Sequence, residues 1–182
     1  MGAPVRTTRE AWIEQGLAML AAGGPEAVRV EALANALGVT KGGFYGQFAD
    51  RHDLLVAMLD TWERQAVDDV IRGLSTDHSD DARENIRRAG AATMSHNRMR
   101  PIDLAVRDWA RRDPEAKQRL RRVDRRRMAF LKSQFALLYD DPEEVEARSL
   151  LAFCLAVGHD TLGTDSKGRR RLIDVALRIV TD

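Results

Sequence analysis

Cysteine is nearly absent from this chain: Cys154 is the only one in 182 residues, so no internal disulfide can form, which agrees with a reducing compartment. Long apolar runs are absent as well. No stretch approaches the roughly 18 residues that a membrane-spanning helix needs, and the N-terminus lacks the apolar core of a signal peptide, so a cytoplasmic location is expected. A dominant charge is also missing. The 29 Lys and Arg stand against 28 Asp and Glu, and a net charge of +1 does not by itself announce a nucleic-acid partner. Signatures of catalysis are lacking too: His52, His78, His96 and His159 are too widely spaced for an i, i+4 metal pair, and there is no His-Glu-x-x-His, phosphate loop or dinucleotide fingerprint. Cys154 and His159, five residues apart on one helix, would point about 140° from each other and cannot meet as a nucleophile pair. No enzyme activity, metal or cofactor is expected.

What is present is an ordinary globular composition, 44% hydrophobic and 31% charged, in a chain long enough for one sizeable core or a small module joined to a larger one. The most informative stretch is Val30–Phe48, VEALANALGVTKGGFYGQF. It reads as a short helix over Val30–Leu37, a turn at Gly38, and a second short helix with Thr40 as its N-cap. Two helices crossing at about 90 to 120° need a small residue where their backbones meet, a turn residue tolerant of positive φ, and apolar side chains in the wedge. Ala34, Gly38, and the set Leu33, Leu37, Val39 and Phe44 fill these roles. Gly42, Gly43 and Gly46 fall in the second helix, where each interior glycine costs about 1 kcal/mol relative to alanine. Close approach of the backbone to the floor of a DNA major groove accounts for such a cost, and Lys41, Tyr45 and Gln47 around the glycines suit phosphate and base contacts.

The run GVTKGGFYGQF followed by ADRHDLL resembles the DNA-binding signature of the TetR family of bacterial transcriptional regulators. That resemblance implies recognition-helix positions at Thr40, Lys41, Gly43 and Tyr45, with Asp50 and Arg51 as the cap and the basic phosphate contact of a fourth helix. Gly46 stands where the family often has a larger, base-contacting residue, and Gln47 where it usually has histidine. The expected DNA-binding set is therefore Arg29, Thr40, Lys41, Gly42, Gly43, Tyr45, Gln47 and Arg51. Residues 1–52 nevertheless carry five basic and five acidic side chains, so only modest non-specific affinity is expected.

Elsewhere the pattern is helical. A first helix is expected over about Thr7–Ala22, its stripe Ile13, Gly16, Leu17 and Leu20 bracing the helix-turn-helix. A long fourth helix should run from the cap at Asp50 to about Ile71, a lever between two modules, and a fifth from about Asp80 to Asn97. Pro101, Asp113-Pro114 and Asp141-Pro142 mark later helix starts. Arg119, Arg121, Arg122, Arg125, Arg126 and Arg127 spread around a helix and read as a solvated, partly salt-bridged surface, not a nucleic-acid patch. The last two helices, about Pro142–Leu162 and Lys167–Val180 with a turn at Gly163–Ser166, carry apolar stripes suited to pairing with a second copy.

The expected fold is all-α with about nine helices: a three-helix DNA-binding domain over 1–52, then a ligand-binding and dimerisation domain over 53–182. Trp-Ala-x-x-Asp-Pro at 109–114 and Val-Asp-x-x-Arg at 123–127 resemble, less specifically, TetR ligand-binding domains. The resemblance implies an effector cavity among the fourth to eighth helices, with Trp62, Thr93, Met94, Asn97, Leu104, Trp109 and Phe153 as candidate lining. The expected function is a dimeric repressor that binds a palindromic operator of double-stranded DNA and is released by a small molecule. The competing reading is a helical adaptor that binds only proteins, which leaves the glycine-rich helix without a reason.

Overall fold

The computed structural model describes residues 7–75, 81–94, 98–159 and 168–182, and among these it is all helical, without strands. The helices are α1 (Arg9–Gly23), α2 (Val30–Leu37), α3 (Lys41–Tyr45), α4 (Arg51–Ser75), α5 (Ala82–Met94), α6 (Met99–Trp109), α7 (Pro114–Phe135), α8 (Pro142–Gly158) and α9 (Arg169–Thr181), with one 3-10 turn at Pro25–Ala27. None is long and apolar enough to cross a membrane among the described residues. The turn expected at Gly163–Ser166 lies outside the described residues.

Helix starts follow the short polar side chains. Thr8 Oγ1 accepts from Ala11 N at 3.2 Å, Asp50 Oδ1 from Asp53 N at 2.9 Å, Asp113 Oδ1 from Ala116 N at 2.8 Å, and Asp141 Oδ1 from Glu143 N at 3.0 Å. Each satisfies one of the amide donors that a helix N-terminus leaves without an internal acceptor. Asp53 also reaches back to Ala49 N at 3.1 Å, so the start of α4 is fastened from both sides.

The chain divides into two compact units. Unit 1 takes the described residues through Ala66 together with Arg98–Arg121; unit 2 takes Val67–Asn97 and Arg122–Asp182. The divisions fall inside α4 and near the middle of α7.

Unit 1 is built on Trp12, Leu17, Leu20, Leu33, Phe44, Leu54, Met58 and Trp62, all fully buried. Burial of each such side chain is worth about 1.5–3 kcal/mol. Trp12 meets Phe44 edge-on at 5.5 Å, and Phe44 stacks on Phe48 at 5.3 Å, so α1 grips the helix-turn-helix through one aromatic column. Gly16 permits α1 to pass close to α4: a Cβ there would lie 2.6 Å from Met58 Sδ. Helix α6 covers α1, with Ile102, Val106 and Trp109 buried and an Arg98–Glu14 ion pair at its start.

Unit 2 centres on Ile86, Leu131, Phe135, Val145 and Ala152, contributed by α5, α7 and α8. Its C-terminal end is fastened by Tyr139 Oη donating to Thr181 O at 3.0 Å and Arg148 Nη1 donating to Val180 O at 2.7 Å.

Candidate nucleic-acid interface

The α2–α3 corner forms as its sequence dictates. Gly38 adopts the left-handed conformation (φ 68°, ψ 29°), its amide donates to Asn35 O at 3.2 Å, and Val39 N donates to Ala34 O at 3.0 Å. This is a Schellman ending, and it turns the chain so that Thr40 starts α3. Thr40 sits at the N-cap with extended backbone, but its side chain makes no capping bond; Gly43 N donates to the Thr40 carbonyl at 3.0 Å instead. The expectation that the Thr40 hydroxyl caps α3 is thus corrected, and the hydroxyl is exposed. Gly46 is also relocated. Helix α3 ends at Tyr45, so Gly46 is its C-cap and not an interior residue.

Phe44 is the one fully buried residue of α3, and it anchors the helix. Thr40, Lys41, Gly42, Gly43 and Tyr45 are exposed, Tyr45 by 62%, and Gln47 is half-buried. Among the described residues nothing requires the glycines. A Cβ added at Gly42, Gly43 or Gly46 would meet no atom closer than 3.7, 3.8 and 3.6 Å respectively, ordinary contacts all, and none of the three has positive φ.

Two of the basic candidates are engaged within the corner. Lys41 Nζ lies 2.5 Å from Glu31 Oε1 and links the first residue of α3 to the first turn of α2. That hydrogen bond is the main reason the Glu31 carboxyl is held below its usual value of 4.5, with a backbone hydrogen bond and the Lys41 charge adding to it. Arg51 Nε donates to Val28 O at 2.6 Å, and its Nη2 donates to Pro25 O. Arg51 therefore braces the 3-10 turn that leads into α2, where Arg29 is exposed at the N-cap. Sequence reasoning missed both ties. Glu31 is ten residues from Lys41 and the Arg51 acceptors are backbone carbonyls, so neither leaves a local pattern.

The ligand candidates separate. Thr93 and Phe153 line a cavity of about 30 Å³ in unit 2, together with Ile86, Ala89, Gly90, Arg127, Phe130, Leu131, Ala152, Ala156 and Leu177. Met94 lies beside it, its Cε 3.5 Å from where a Gly90 Cβ would be. Trp62, Leu104 and Trp109 belong to unit 1. Trp62 is fully buried there, and Trp109 faces a cleft of about 330 Å³ with Arg51, Leu55 and Asp113. Asn97 lies outside the described residues. Of the arginine run, Arg121, Arg125 and Arg126 are exposed as expected, but the Arg119 and Arg127 side chains are only 12% exposed. Arg119 is held in unit 1 by Asp60, by Glu63 at 3.5 Å and by Glu115 at 3.2 Å. Cys154 is exposed, whereas His159 is buried with Nδ1 3.2 Å from Ala156 O, so the two do not form a pair.

A fully buried anchor, an exposed polar and glycine-rich helix and a Schellman turn define a DNA-binding helix-turn-helix. Residues 13–58 match the family model of bacterial regulatory proteins, tetR family. No curated protein matches the chain. Among solved structures, it is similar to a transcriptional regulator from Rhodococcus sp. Rha1 (18% identity, 96% of this chain and 94% of that chain, TM-score 0.77). It is similar to AibR in complex with isovaleryl coenzyme A and operator DNA (13%, 95% and 97%, TM-score 0.73). It also resembles the transcriptional regulator FadR from Bacillus subtilis in complex with stearoyl-CoA (14%, 96% and 98%, TM-score 0.66). The N-terminal module is that of the TetR family of bacterial transcriptional regulators, and the chain shares the fold of these proteins along nearly its entire length.

Proposed function

We propose that this chain is a homodimeric, non-catalytic repressor that holds a palindromic operator through α3 of each copy, acts in the cytoplasm, and lets go when a small molecule occupies the unit 2 cavity. The observation that carries the DNA-binding part is the glycine pair in α3. Gly42 and Gly43 weaken a five-residue helix, yet among the described residues no neighbour would obstruct a Cβ at either position. A surface outside the protein is the remaining reason for them, and the major-groove floor is that surface. Around them Lys41, Tyr45 and Gln47 supply hydrogen-bonding groups for bases and phosphates, with Arg29 flanking at the start of α2 and Thr40 at the start of α3. Gly42 and Gly43 admit the backbone itself, and Arg51 serves by holding the corner rigid.

Dimerisation is supported by the last two helices. Ala147, Leu150, Leu151 and Cys154 of α8 follow i, i+3, i+4, i+7 spacing and are all exposed, and Leu172 and Ile179 of α9 are 68% and 69% exposed. Exposed apolar stripes on adjacent helices call for a self-complementary partner. A small-molecule effector and an operator are supported by two neighbours of the same fold, AibR, whose crystal holds isovaleryl coenzyme A and operator DNA, and FadR, whose crystal holds stearoyl-CoA. Helix α4 contributes residues to both units, so a ligand that favours one setting of α4 biases α3, and the coupling is reciprocal.

Selection from random double-stranded DNA at about 0.15 M salt tests the proposal, because non-specific binding is suppressed there. A palindrome with half-sites about 34–36 Å apart is the expected product. Recovery of no sequence preference would remove the operator-reading role.

A further inference from the structure

Unit 1 holds a cleft of about 330 Å³ to which α3 contributes no described residue. Its floor is apolar. Leu55 and Leu59 lie one turn apart on α4, Trp109 ends α6, and each is at most 7% exposed. Three carboxylates stand around that floor: Glu26 from the 3-10 turn, and Asp113 and Glu115 from the entry to α7. Asp113 Oδ1 accepts from Ala116 N at 2.8 Å, and Glu115 Oε1 accepts from Arg119 Nη2 at 3.2 Å. Each of these bonds uses one oxygen of a group that accepts at both. Glu26 is exposed and has no hydrogen bond or ion pair among the described residues. The basic residues of the described lining are His52 and Arg51, and the Arg51 guanidinium is turned to the carbonyls of Val28 and Pro25.

We infer that this cleft is a second small-molecule site, separate from the unit 2 cavity, and that it takes an organic cation with an apolar body, an arylalkyl ammonium being the simplest kind. Its volume falls in the range of about 300–1,000 Å³ usual for clefts that hold organic ligands, whereas the unit 2 cavity measures about 30 Å³. The apolar body gains by leaving water on the floor of Leu55, Leu59 and Trp109. The ammonium brings three donors and a positive charge to a rim that carries Glu26, Asp113 and Glu115. An acid of the same shape meets like charges there, and a neutral molecule of that shape gains only from the floor. Position gives the site a use. The 3-10 turn that forms one wall leads into α2, and Arg51 ties that turn to α4. A molecule held between Glu26 and the α4 floor adds a second tie between the same two elements.

The test is calorimetric titration of the full-length protein with tryptamine, tryptophol and indole-3-acetate, which share one ring system and differ in the charge of the side chain. Tryptamine should bind at least about tenfold more tightly than tryptophol, the margin of a charge-assisted hydrogen bond, and indole-3-acetate more weakly than either. Val56→Trp fills the cleft from its half-buried wall and should abolish tryptamine binding. Glu26→Gln changes an exposed side chain, so it folds even if the tryptophan variant does not, and it should narrow the preference for amine over alcohol about two- to fivefold. Hydrogen exchange locates the site without a substitution. Tryptamine should slow exchange of the Ala27 and Val28 amides, which close the 3-10 turn, and leave α5 and α8 of the unit 2 cavity unchanged. Equal binding of amine and alcohol, no binding of tryptamine, a preference for the acid, protection confined to α5 and α8, or an undiminished preference in Glu26→Gln overturns the inference. None of these readings involves DNA, so the operator-reading role stands or falls separately.

Discussion

Lys41 of α3 and Glu31 of α2 form an ion pair at 2.5 Å that joins the two helices of the corner. A phosphate or a guanine must take Lys41 away from Glu31, and Glu31 is then left close to a polyanion. On the proposed operator-reading role, the pair would lower affinity for any duplex and make binding depend on contacts other than charge. Glu31→Gln should tighten binding to random duplex several-fold at about 0.1 M salt, with less effect on the operator. Titration of fluorescent random and selected duplexes would show it, and equal binding by both proteins would mean the pair does not restrain Lys41.

The same pair has a pH signature. Glu31 is depressed in the folded protein, so the stability it contributes is complete above its usual value of 4.5 and is lost as pH falls through the lower folded value. The melting-temperature difference between the wild type and Glu31→Gln should be constant above about pH 5.5 and shrink below about 4.5. A difference that stays constant down to pH 3 would show that the contact does not form in solution.

Lys41→Ala should weaken binding to all sequences and lower the salt slope by about one unit if its partner is phosphate. An unchanged slope with altered base preference would assign Lys41 to base reading.

Gly43→Ala separates folding from binding. Its Cβ would sit 3.8 Å from Trp12 Cζ2, an ordinary contact, so the variant should gain about 0.5–1 kcal/mol of stability by urea denaturation. Operator affinity should nevertheless fall. A variant that is both more stable and equally tight would show that the backbone of α3 does not approach the groove closely.

Replacing Leu151 and Leu172 together by glutamate changes two exposed side chains, so the fold should be retained to within about 1 kcal/mol. The variant should sediment as a monomer and lose operator binding. A dimer that persists would move the self-contact away from α8 and α9.

Much of the fold was legible because helix boundaries are local chemistry. Helix α2 begins and ends where the sequence said, since Gly38 alone in that stretch tolerates the left-handed turn, and Asp50, Asp113 and Asp141 marked helix starts because a short carboxylate before an apolar row has one common use. Partners distant in sequence were not legible. The tie of Arg51 to Pro25 and Val28 depends on where two carbonyls point after folding, and no residue type encodes that. Arg127 was hidden by its neighbours: in a run of arginines it looks solvated, and only its place in the row from Val123 to Phe135 reveals the inward side. The division of the candidate lining was likewise not legible: Trp62 is fully buried in unit 1 and Trp109 faces the cleft of that unit, whereas Thr93 and Phe153 line the cavity of unit 2.

The sharing of α4 and α7 between the units bears on attempts to change which genes such a protein controls by exchanging heads. Helix α6, in the middle of the sequence, belongs to the same unit as α1 and covers it, with Arg98 reaching Glu14. A chimera joined at residue 52 or 66 would place a foreign α1 beneath a native α6, with Trp12, Ile102 and Val106 no longer matched to their surroundings. Transferring the DNA specificity of this protein would therefore require grafting two separated segments at once, or transplanting only the exposed side chains of α3.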